Sequence, residues 1–365
     1  MIEDGSSMTD TPCSVVAEYN EHAPLHVAQY IQISFSLISL VIVVYTATHF
    51  LFKTIFETIF KGCEKGRRSG TGESGCHQKV DMEIQEILLT LYVFIFLHSL
   101  LTIILQGALV YVRIFRSDPC QAQISKLLCY TLRIILRVCM SIFVCINLSI
   151  TCQRIVTTFI DSRLVHKISG RSMIVMSLLY SLMITWVAYR NDSYTGRVPY
   201  CTGSSADSQD VNTYNMSVLF AFDVLTIMID LALLKYNYYQ INHEKSFSLS
   251  ITFRRRQNVV SIQQFLPSLV FHTMCYVVQL GGFFVVWSIR DHYSSVEFAS
   301  INAFIYCMPF YCAIGPAILL YLMRQGRLIR KEKLKTVVEK KTTHTKTYFE
   351  SLHQQWETVT ISIHH

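Results

Sequence analysis

Residues 87–112 read ILLTLYVFIFLHSLLTIILQGALVYV, a run of 26 residues without Lys, Arg, Asp or Glu. A helix of about 20 apolar residues is long enough to cross the roughly 30 Å hydrocarbon core of a bilayer. The stretch therefore predicts a membrane-spanning helix. The rest of the chain agrees, because 16% of its 365 residues are charged, against about 25% in soluble domains.

Six further stretches have comparable length and few charges, which gives seven predicted spans. Charges inside the third and fifth stretches and the shortness of the fourth leave open that one of these is a re-entrant or buried segment. The six stretches are 28–52, 127–154, 172–189, 215–234, 259–289 and 298–323.

Basic residues are distributed unevenly between the predicted loops. The loops on the side of 53–79, together with the segment from residue 324 onward, hold 24 Lys and Arg, and the opposite side holds 6. Because positive residues stay cytoplasmic, the N-terminus is predicted outside and the C-terminus inside, which requires an odd number of spans. The predicted fold is thus an all-α bundle of seven transmembrane helices. It comprises an extracellular N-terminus (1–27), a membrane domain (28–323) and a basic cytoplasmic tail (324–365).

Four cysteines lie on the predicted outer side: Cys13, Cys120, Cys129 and Cys201. Cys129 precedes Arg154 by 25 residues, about 37 Å of helix at about 1.5 Å per residue, so the two residues fall at opposite ends of the third span. Disulfides form in an oxidising outer environment, and four cysteines allow three pairings. We favour Cys129–Cys201 with Cys13–Cys120.

One glycosylation sequon fits the predicted outer loops. Asn191-Asp192-Ser193 follows the fourth predicted span, so Asn191 is the expected acceptor.

Charged residues inside the predicted spans are costly and usually find partners. Arg133 and Arg137 are four residues apart and share a helical face, and Asp223 and Asp230 share another. Counted from Cys129 and from the predicted start of the fifth span at Asn215, Arg137 and Asp223 both lie about 12 Å deep. This equal depth predicts an Arg137–Asp223 ion pair. The pair is either structural or part of a ligand cavity that also includes Arg133.

The segment Gln153-Arg154-Ile155-Val156-Thr157 ends the third predicted span. Arg154 has two interpretations at this position: a topological anchor whose charge reaches the membrane surface, or the arginine that a G protein contacts in an active receptor. The spacing from Cys129 supports the second interpretation, with Gln153 and Thr157 beside it.

Prolines are expected to kink two of the spans, because a proline removes a backbone hydrogen bond and clashes with the preceding turn. Pro267 lies in the sixth span, and Pro309 and Pro316 lie in the seventh. Such kinks either permit helix movement or serve static packing.

Motifs for catalysis, cofactors and metals were not found. The chain has no phosphate-binding glycine loop, no dinucleotide fingerprint and no zinc-protease motif. Its basic residues show no interleaving with aromatics of the kind that binds nucleic acid. The sequence therefore favours a membrane protein that is not an enzyme and that needs no cofactor or metal.

Several motifs together resemble one known family. They are Asp118-Pro119-Cys120, Cys129-Tyr130-Thr131-Leu132-Arg133, Gln153-Arg154 with Thr157, Pro199-Tyr200-Cys201 and Leu266-Pro267. Over about residues 85–330 the chain resembles nematode serpentine chemoreceptors of the Sra superfamily, most of all the Srab branch, with the Srb branch second. The resemblance implies a G-protein-coupled receptor for a small chemical, in the plasma membrane of sensory neurons and often in their cilia.

The chain departs from the family pattern beside Arg154. The family usually has Glu where this chain has Gln153, and Glu-Asn where it has Gln257-Asn258. Without the acidic neighbour of Arg154, the ionic latch of the resting state is in doubt.

Two other classes compete with the receptor hypothesis. A seven-helix transporter of a small solute would show inverted repeats and broken helices, and neither is visible in the sequence. A membrane-embedded enzyme would need a catalytic set of residues, and none stands out.

Overall fold

The computed structural model describes residues 12–48, 80–116, 118, 121–160, 163–192, 194–201, 206–243 and 249–326, with single positions at 328, 332 and 336. Within this part of the chain, seven helices are long and apolar enough to cross a membrane. This confirms the predicted number of spans.

The seven spans begin and end as follows. The first is Ala23–Thr46, the second lies within Val80–Phe115, the third is Lys126–Phe159, the fourth lies within Arg163–Tyr189, the fifth within Ala206–His243, the sixth within Leu249–Ser288, and the seventh is Ser295–Gly326.

Several helices are longer than the apolar stretches that predict them. The fifth helix begins at Ala206 and ends at His243, so it exceeds the predicted span 215–234 by nine residues at each end. The sixth begins at Leu249, ten residues before the predicted start. Hydropathy locates only the part of a helix that suits hydrocarbon. Polar turns that continue a helix beyond this part are therefore missed.

The third span lies at the centre of the bundle. It packs against the second, fourth, fifth and sixth spans, while the first and seventh spans pack against each other and the seventh also meets the sixth. In its most apolar window 72% of residues are buried, the highest share among the seven spans. By contrast, large apolar side chains on the outer surface, such as Val41, Met176, Trp186 and Met228, are more than 60% exposed. An apolar outer surface of this kind suits contact with lipid.

Polar side chains join the first, second and seventh spans in the interior. Gln32 donates to the carbonyl oxygen of Ala303 at 2.7 Å and accepts from Gln106 at 2.7 Å. Ser39 donates to the carbonyl oxygen of Cys312 at 2.8 Å and accepts from Ser99 at 2.8 Å. Hydrogen bonds between helices hold membrane bundles together where hydrophobic burial gives no preference over lipid.

The seventh span is interrupted by two non-helical residues, Tyr306 and Cys307, after which helix resumes at 308–326. Pro309 lies in the first turn of the second part, where its missing N–H costs little. The predicted kink at Pro309 thus corresponds to a break in the helix. Pro267 lies inside the sixth helix, and Pro316 lies inside 308–326.

The chain divides into two compact units, residues 1–318 and 319–365. The bundle interior described here belongs to the first unit. Most of the predicted basic tail lies outside the described residues.

Candidate functional site

A disulfide fixes the loop between the fourth and fifth spans at one end of the bundle. Cys129, in the first turn of the third span, is bonded to Cys201, and both are buried. Next to this bond, strand β1 (Ile124–Ser125) pairs antiparallel with strand β2 (Arg197–Val198). Cys13 is also in a disulfide, and its predicted partner Cys120 lies outside the described residues. We call this the disulfide end of the bundle.

The short N-terminal helix Cys13–Glu21 adds a further layer to the disulfide end. Tyr19 stacks on Tyr200, with ring centroids 6.1 Å apart, and donates a hydrogen bond to the carbonyl oxygen of Ser295 at 3.1 Å. Burial raises the pKa of Tyr19 and of Tyr200, and the Arg133 guanidinium opposes the rise at Tyr200. Both phenols therefore stay protonated and remain hydrogen-bond donors at neutral pH.

A cavity of about 240 Å³ lies beneath the loop between the fourth and fifth spans, which carries Cys201. Tyr200 lines it from the loop, and the second, third, fifth, sixth and seventh spans provide most of its remaining wall. Its apolar wall includes Leu136, Met216, Leu280, Phe283 and Phe298. Ligand sites in proteins are mostly apolar concavities with a few placed polar groups, and this cavity has that composition.

Arg133 and Arg137, on one face of the third span, both line this cavity. Arg137 donates to the backbone carbonyl oxygen of Asn212 at 3.0 Å. The Nε atoms of both arginines are buried without a hydrogen-bond partner. The structure thus brings both predicted arginines to one cavity.

The predicted Arg137–Asp223 ion pair is not formed. A carboxylate oxygen of Asp223 lies 2.7 Å from Nδ1 of His272 in the sixth span, and both side chains are fully buried. Asn147 of the third span approaches the same ring nitrogen at 3.4 Å. The equal-depth argument fails because the fifth helix starts nine residues earlier than predicted. Asp223 and Asn147 meet at the same ring of His272, so Asp223 lies near the level of Asn147, ten residues beyond Arg137 in the third span.

Arg154 is buried rather than exposed at the opposite end of the third span, which we call the Arg154 end. Its side chain is 1% exposed, and its Nη1 lies 2.8 Å from a carboxylate oxygen of Asp230 in the fifth span. Its Nη2 donates to the carbonyl oxygen of Ser261 at 3.3 Å, and its guanidinium lies 5.0 Å from the centre of the Phe265 ring. The interpretation of Arg154 as a water-facing anchor is therefore wrong in this structure.

Hydrogen bonds around the backbone of Arg154 connect the third and sixth spans. The side-chain amide of Asn258 donates to the carbonyl oxygen of Arg154 at 3.3 Å and to the hydroxyl of Thr158 at 2.6 Å. Thr157, one of the predicted site residues, donates to the same carbonyl at 2.9 Å. Asp230 also accepts from Thr151 at 3.0 Å. We call Arg154, Asp230, Asn258, Ser261 and Phe265 the arginine cluster.

Gln153 is buried but does not belong to this cluster. Its side-chain oxygen lies 3.8 Å from the position that a Cβ on Gly170 would occupy, in the fourth span. The neighbour that the family pattern makes acidic therefore faces a different helix from Asp230. Replacement of the family's Glu by Gln does not deprive Arg154 of a carboxylate, because Asp230 supplies one from the fifth span.

Asn191, the predicted glycosylation site, is exposed just after the end of the fourth span. Its accessibility suits glycan attachment, and Ser193 of the sequon lies outside the described residues. Within the described residues, no group of three or more His, Cys, Asp or Glu side chains is arranged to hold a metal ion.

The chain is similar to known proteins over most of its length. A family model described as a serpentine type 7TM GPCR receptor class ab chemoreceptor matches residues 73–357. The chain belongs to this Srab chemoreceptor family. The match includes the region 85–330 that carries the resemblance, and it confirms the Srab branch that the motifs favour over Srb.

Two curated relatives of this Srab chain are receptors of Caenorhabditis elegans. Serpentine receptor class alpha-4 is 24% identical over 184 residues, which cover 50% of this chain and 53% of that protein. Serpentine receptor class alpha-13 is 21% identical over 237 residues, which cover 64% and 70%. The chain thus spans about half the length of the first relative. Both relatives are serpentine receptors, and the Srab chain is a multi-pass membrane protein of the chemosensory receptor class.

Two partners in the Srab chain escape sequence reasoning: Asp230 for Arg154 and His272 for Asp223. The bounds of the helices indicate the pairing of Arg154 with Asp230. Arg154 lies 28 residues after Lys126, and Asp230 lies 24 residues after Ala206, so the two are about 42 Å and about 36 Å from their helix starts. Counted from the true start of the fifth helix, Asp230 therefore lies within about one helical turn of the depth of Arg154. A lone histidine in an apolar helix gives no such signal.

Proposed function

We propose that this Srab chain is a G-protein-coupled receptor that binds a small chemical in the cavity at the disulfide end. We assign that end to the extracellular side and the Arg154 end to the cytoplasm, where a heterotrimeric G protein would bind. The observation that carries the proposal is the third span itself. It lines the cavity with Arg133, Arg137 and Met140 and carries Arg154 at its other end.

The arginine cluster is suited to hold a resting state. Asp230 ties the third span to the fifth, and Asn258 and Ser261 tie it to the sixth. Separation of these helices at the Arg154 end would break all three contacts. It would also expose Arg154 and the adjacent backbone to a partner in the cytoplasm.

The sixth span connects the cavity to the arginine cluster, so ligand binding is able to affect the cluster through this helix. Gln279 and Phe283 line the cavity, while Ser261 and Phe265 contact Arg154. Pro267 lies between these two groups in the same helix, where the backbone lacks one hydrogen bond. A ligand that binds the separated state about tenfold more tightly shifts the equilibrium by about 1.4 kcal/mol.

The test uses the receptor reconstituted with a heterotrimeric G protein in lipid vesicles and a panel of small chemicals. We expect one or more chemicals to accelerate guanine-nucleotide exchange on the α subunit. Ala299→Leu, which reduces the volume of the cavity, is expected to abolish the ligand-stimulated nucleotide exchange. Ala221→Leu on the exposed surface is the matched control.

The same vesicles test the rival function. The break at Tyr306–Cys307 beside the cavity is a feature that transporters also have. Solute flux without nucleotide exchange would identify a transporter and contradict the proposal. Exchange that survives Ala299→Leu would locate the ligand elsewhere.

A further inference from the structure

The arginines of the cavity lack the carboxylate partner that Arg154 has. Arg154 has the carboxylate of Asp230 at 2.8 Å. Among the residues that line the cavity there is no Asp or Glu. Within the described chain, neither Arg133 nor Arg137 has a carboxylate at ion-pair distance. The part-buried guanidinium groups of Arg133 and Arg137 are therefore able to pair with a negative charge on a ligand in the cavity.

The two guanidinium groups are also short of hydrogen-bond acceptors. A guanidinium has five N–H donors and no acceptor. Arg137 uses one group on the Asn212 carbonyl oxygen, and the buried Nε atoms of both arginines have no partner. Because residues four apart lie over one another on a helix, both side chains are able to serve one anion. Planar, bidentate contacts of arginine are well matched to a carboxylate.

The remaining wall defines the rest of the ligand. Phe283, Phe298 and Leu280 offer apolar contact, whereas Gln106 and Gln279 keep side-chain oxygens that are buried without a partner. An engineered cavity of about 150 Å³ holds benzene, so a volume of 240 Å³ has room for a molecule of roughly ten non-hydrogen atoms. The unpartnered amide oxygens are able to accept from a hydroxyl on such a molecule.

We infer that the ligand is a small organic acid whose carboxylate binds Arg133 and Arg137 and whose apolar body fills the aromatic side of the cavity. The inference rests on the proposed function for the identity of the cavity as the ligand site. It excludes amines as ligands, because a third positive charge would face two uncompensated guanidinium groups.

Binding is tested without any signalling readout. The purified full chain is placed in phosphatidylcholine nanodiscs, and its apparent melting temperature is measured with straight-chain and phenyl-substituted carboxylic acids of about six to eight carbons, which match the size of the cavity. Hydroxylated acids and the alcohol and amine of each skeleton are included at equal concentration. We expect acids to raise the melting temperature by several degrees, and the matched alcohols and amines to leave it unchanged.

Charge-removing variants connect the shift to the cavity. Arg133→Gln and Arg137→Gln are each expected to remove the acid-dependent shift. Arg197→Gln, which removes an exposed charge from the loop at the same end, is expected to retain it. If either cavity variant fails to fold, Arg133→Lys or Arg137→Lys replaces it. Lysine keeps the positive charge but cannot make the bidentate contact of a guanidinium, so we expect these variants also to lose the acid-dependent rise in melting temperature.

The outcomes separate this inference from the proposed function. A shift caused by amines or alcohols, or no acid-specific shift across the panel, overturns the inference. A stabilisation that depends on both arginines but appears only when phosphatidylglycerol is added assigns the site to a lipid headgroup and also overturns it. If acids bind but no nucleotide exchange follows, the inference stands and the proposed receptor function fails. If amines drive nucleotide exchange, the proposed receptor function stands and the inference of an acidic ligand fails.

Discussion

At the scale of single residues, Arg154 depends on one carboxylate. The Arg154–Asp230 pair is almost fully buried, with both side chains 2% exposed or less. A buried pair is costly to desolvate, and removal of one member leaves the other charge uncompensated. The pair therefore stabilises the bundle less by its own attraction than by the penalty for losing either partner.

Asp230→Asn is expected to lower the free energy of unfolding by about 3–5 kcal/mol, because Arg154 remains as a lone buried charge. It should also raise G-protein activation without ligand. The apparent melting temperature and basal nucleotide exchange, normalised to surface expression, measure the two effects. Glu86→Gln is the control, since the Glu86–Arg171 pair is exposed and such pairs contribute at most about 1 kcal/mol.

A double variant separates stability from signalling. Arg154→Met combined with Asp230→Leu replaces the pair by apolar side chains, which is often neutral or stabilising, and should restore the melting temperature. If Arg154 contacts the G protein, this variant does not stimulate nucleotide exchange when ligand is added. Normal signalling by the double variant would show that the arginine is structural only.

At the scale of helices, the sequence predicts the spans better than their ends. Residues 87–112 identify a span by composition. The spacing of Cys129 from Arg154 places Cys129 at the end of the bundle where the favoured pairing with Cys201 is possible, and the structure has this bond. The start of the fifth helix at Ala206 is not predictable in this way, because its first turns contain Asp207 and Asp210 and extend beyond the apolar stretch. That single offset explains why Asp223 is wrongly predicted to lie at the depth of Arg137.

Contacts between helices depend on details that composition does not contain. Gly281 and Gly282 are adjacent in the sixth span and look equivalent in the sequence. A Cβ on Gly282 would lie 2.9 Å from Cγ2 of Ile305 in the seventh span, whereas a Cβ on Gly281 would have no atom within 4 Å. Only Gly282 is therefore required for close approach of the sixth and seventh spans.

Gly282→Ala is expected to lower the melting temperature, because Ile305 must move and overpacking typically costs about 1–3 kcal/mol. Gly281→Ala should leave it unchanged or raise it, since alanine is favoured over glycine within a helix by about 0.5–1 kcal/mol. Thermal unfolding of the two purified variants in the same detergent compares them directly. Equal destabilisation by both substitutions would contradict the packing described for Gly282.

At the scale of the whole molecule, the proposed orientation rests on the distribution of basic residues in the sequence. The 24 basic residues on one side against 6 on the other are the kind of asymmetry that membrane insertion follows. The proposed function requires the same orientation, because the cavity must face the outside and Arg154 the cytoplasm.

Epitope tags at the two ends test this orientation in cells. We expect antibody to stain the N-terminal tag on intact cells and the C-terminal tag only after permeabilisation. A C-terminal tag that stains without permeabilisation would contradict both the orientation and the assignment of the G-protein side. The exposed Asn191 offers an independent check, because a glycan there requires the disulfide end to face the secretory lumen.

The hydrogen bonds that join the first and seventh spans cannot form until late in the synthesis of the chain. Gln32 and Ser39 bond to carbonyl groups 271 and 273 residues later in the chain. At roughly 5–20 residues per second, the ribosome delivers those partners about 14 s to about one minute after it has made the first span. During that interval the side chain of Gln32 must be satisfied by Gln106, by water or by the insertion machinery, because an unpaired amide in hydrocarbon is costly. A nascent chain that ends before the seventh span keeps this polar surface open, and cellular quality control thereby gains a means to distinguish it from the finished bundle.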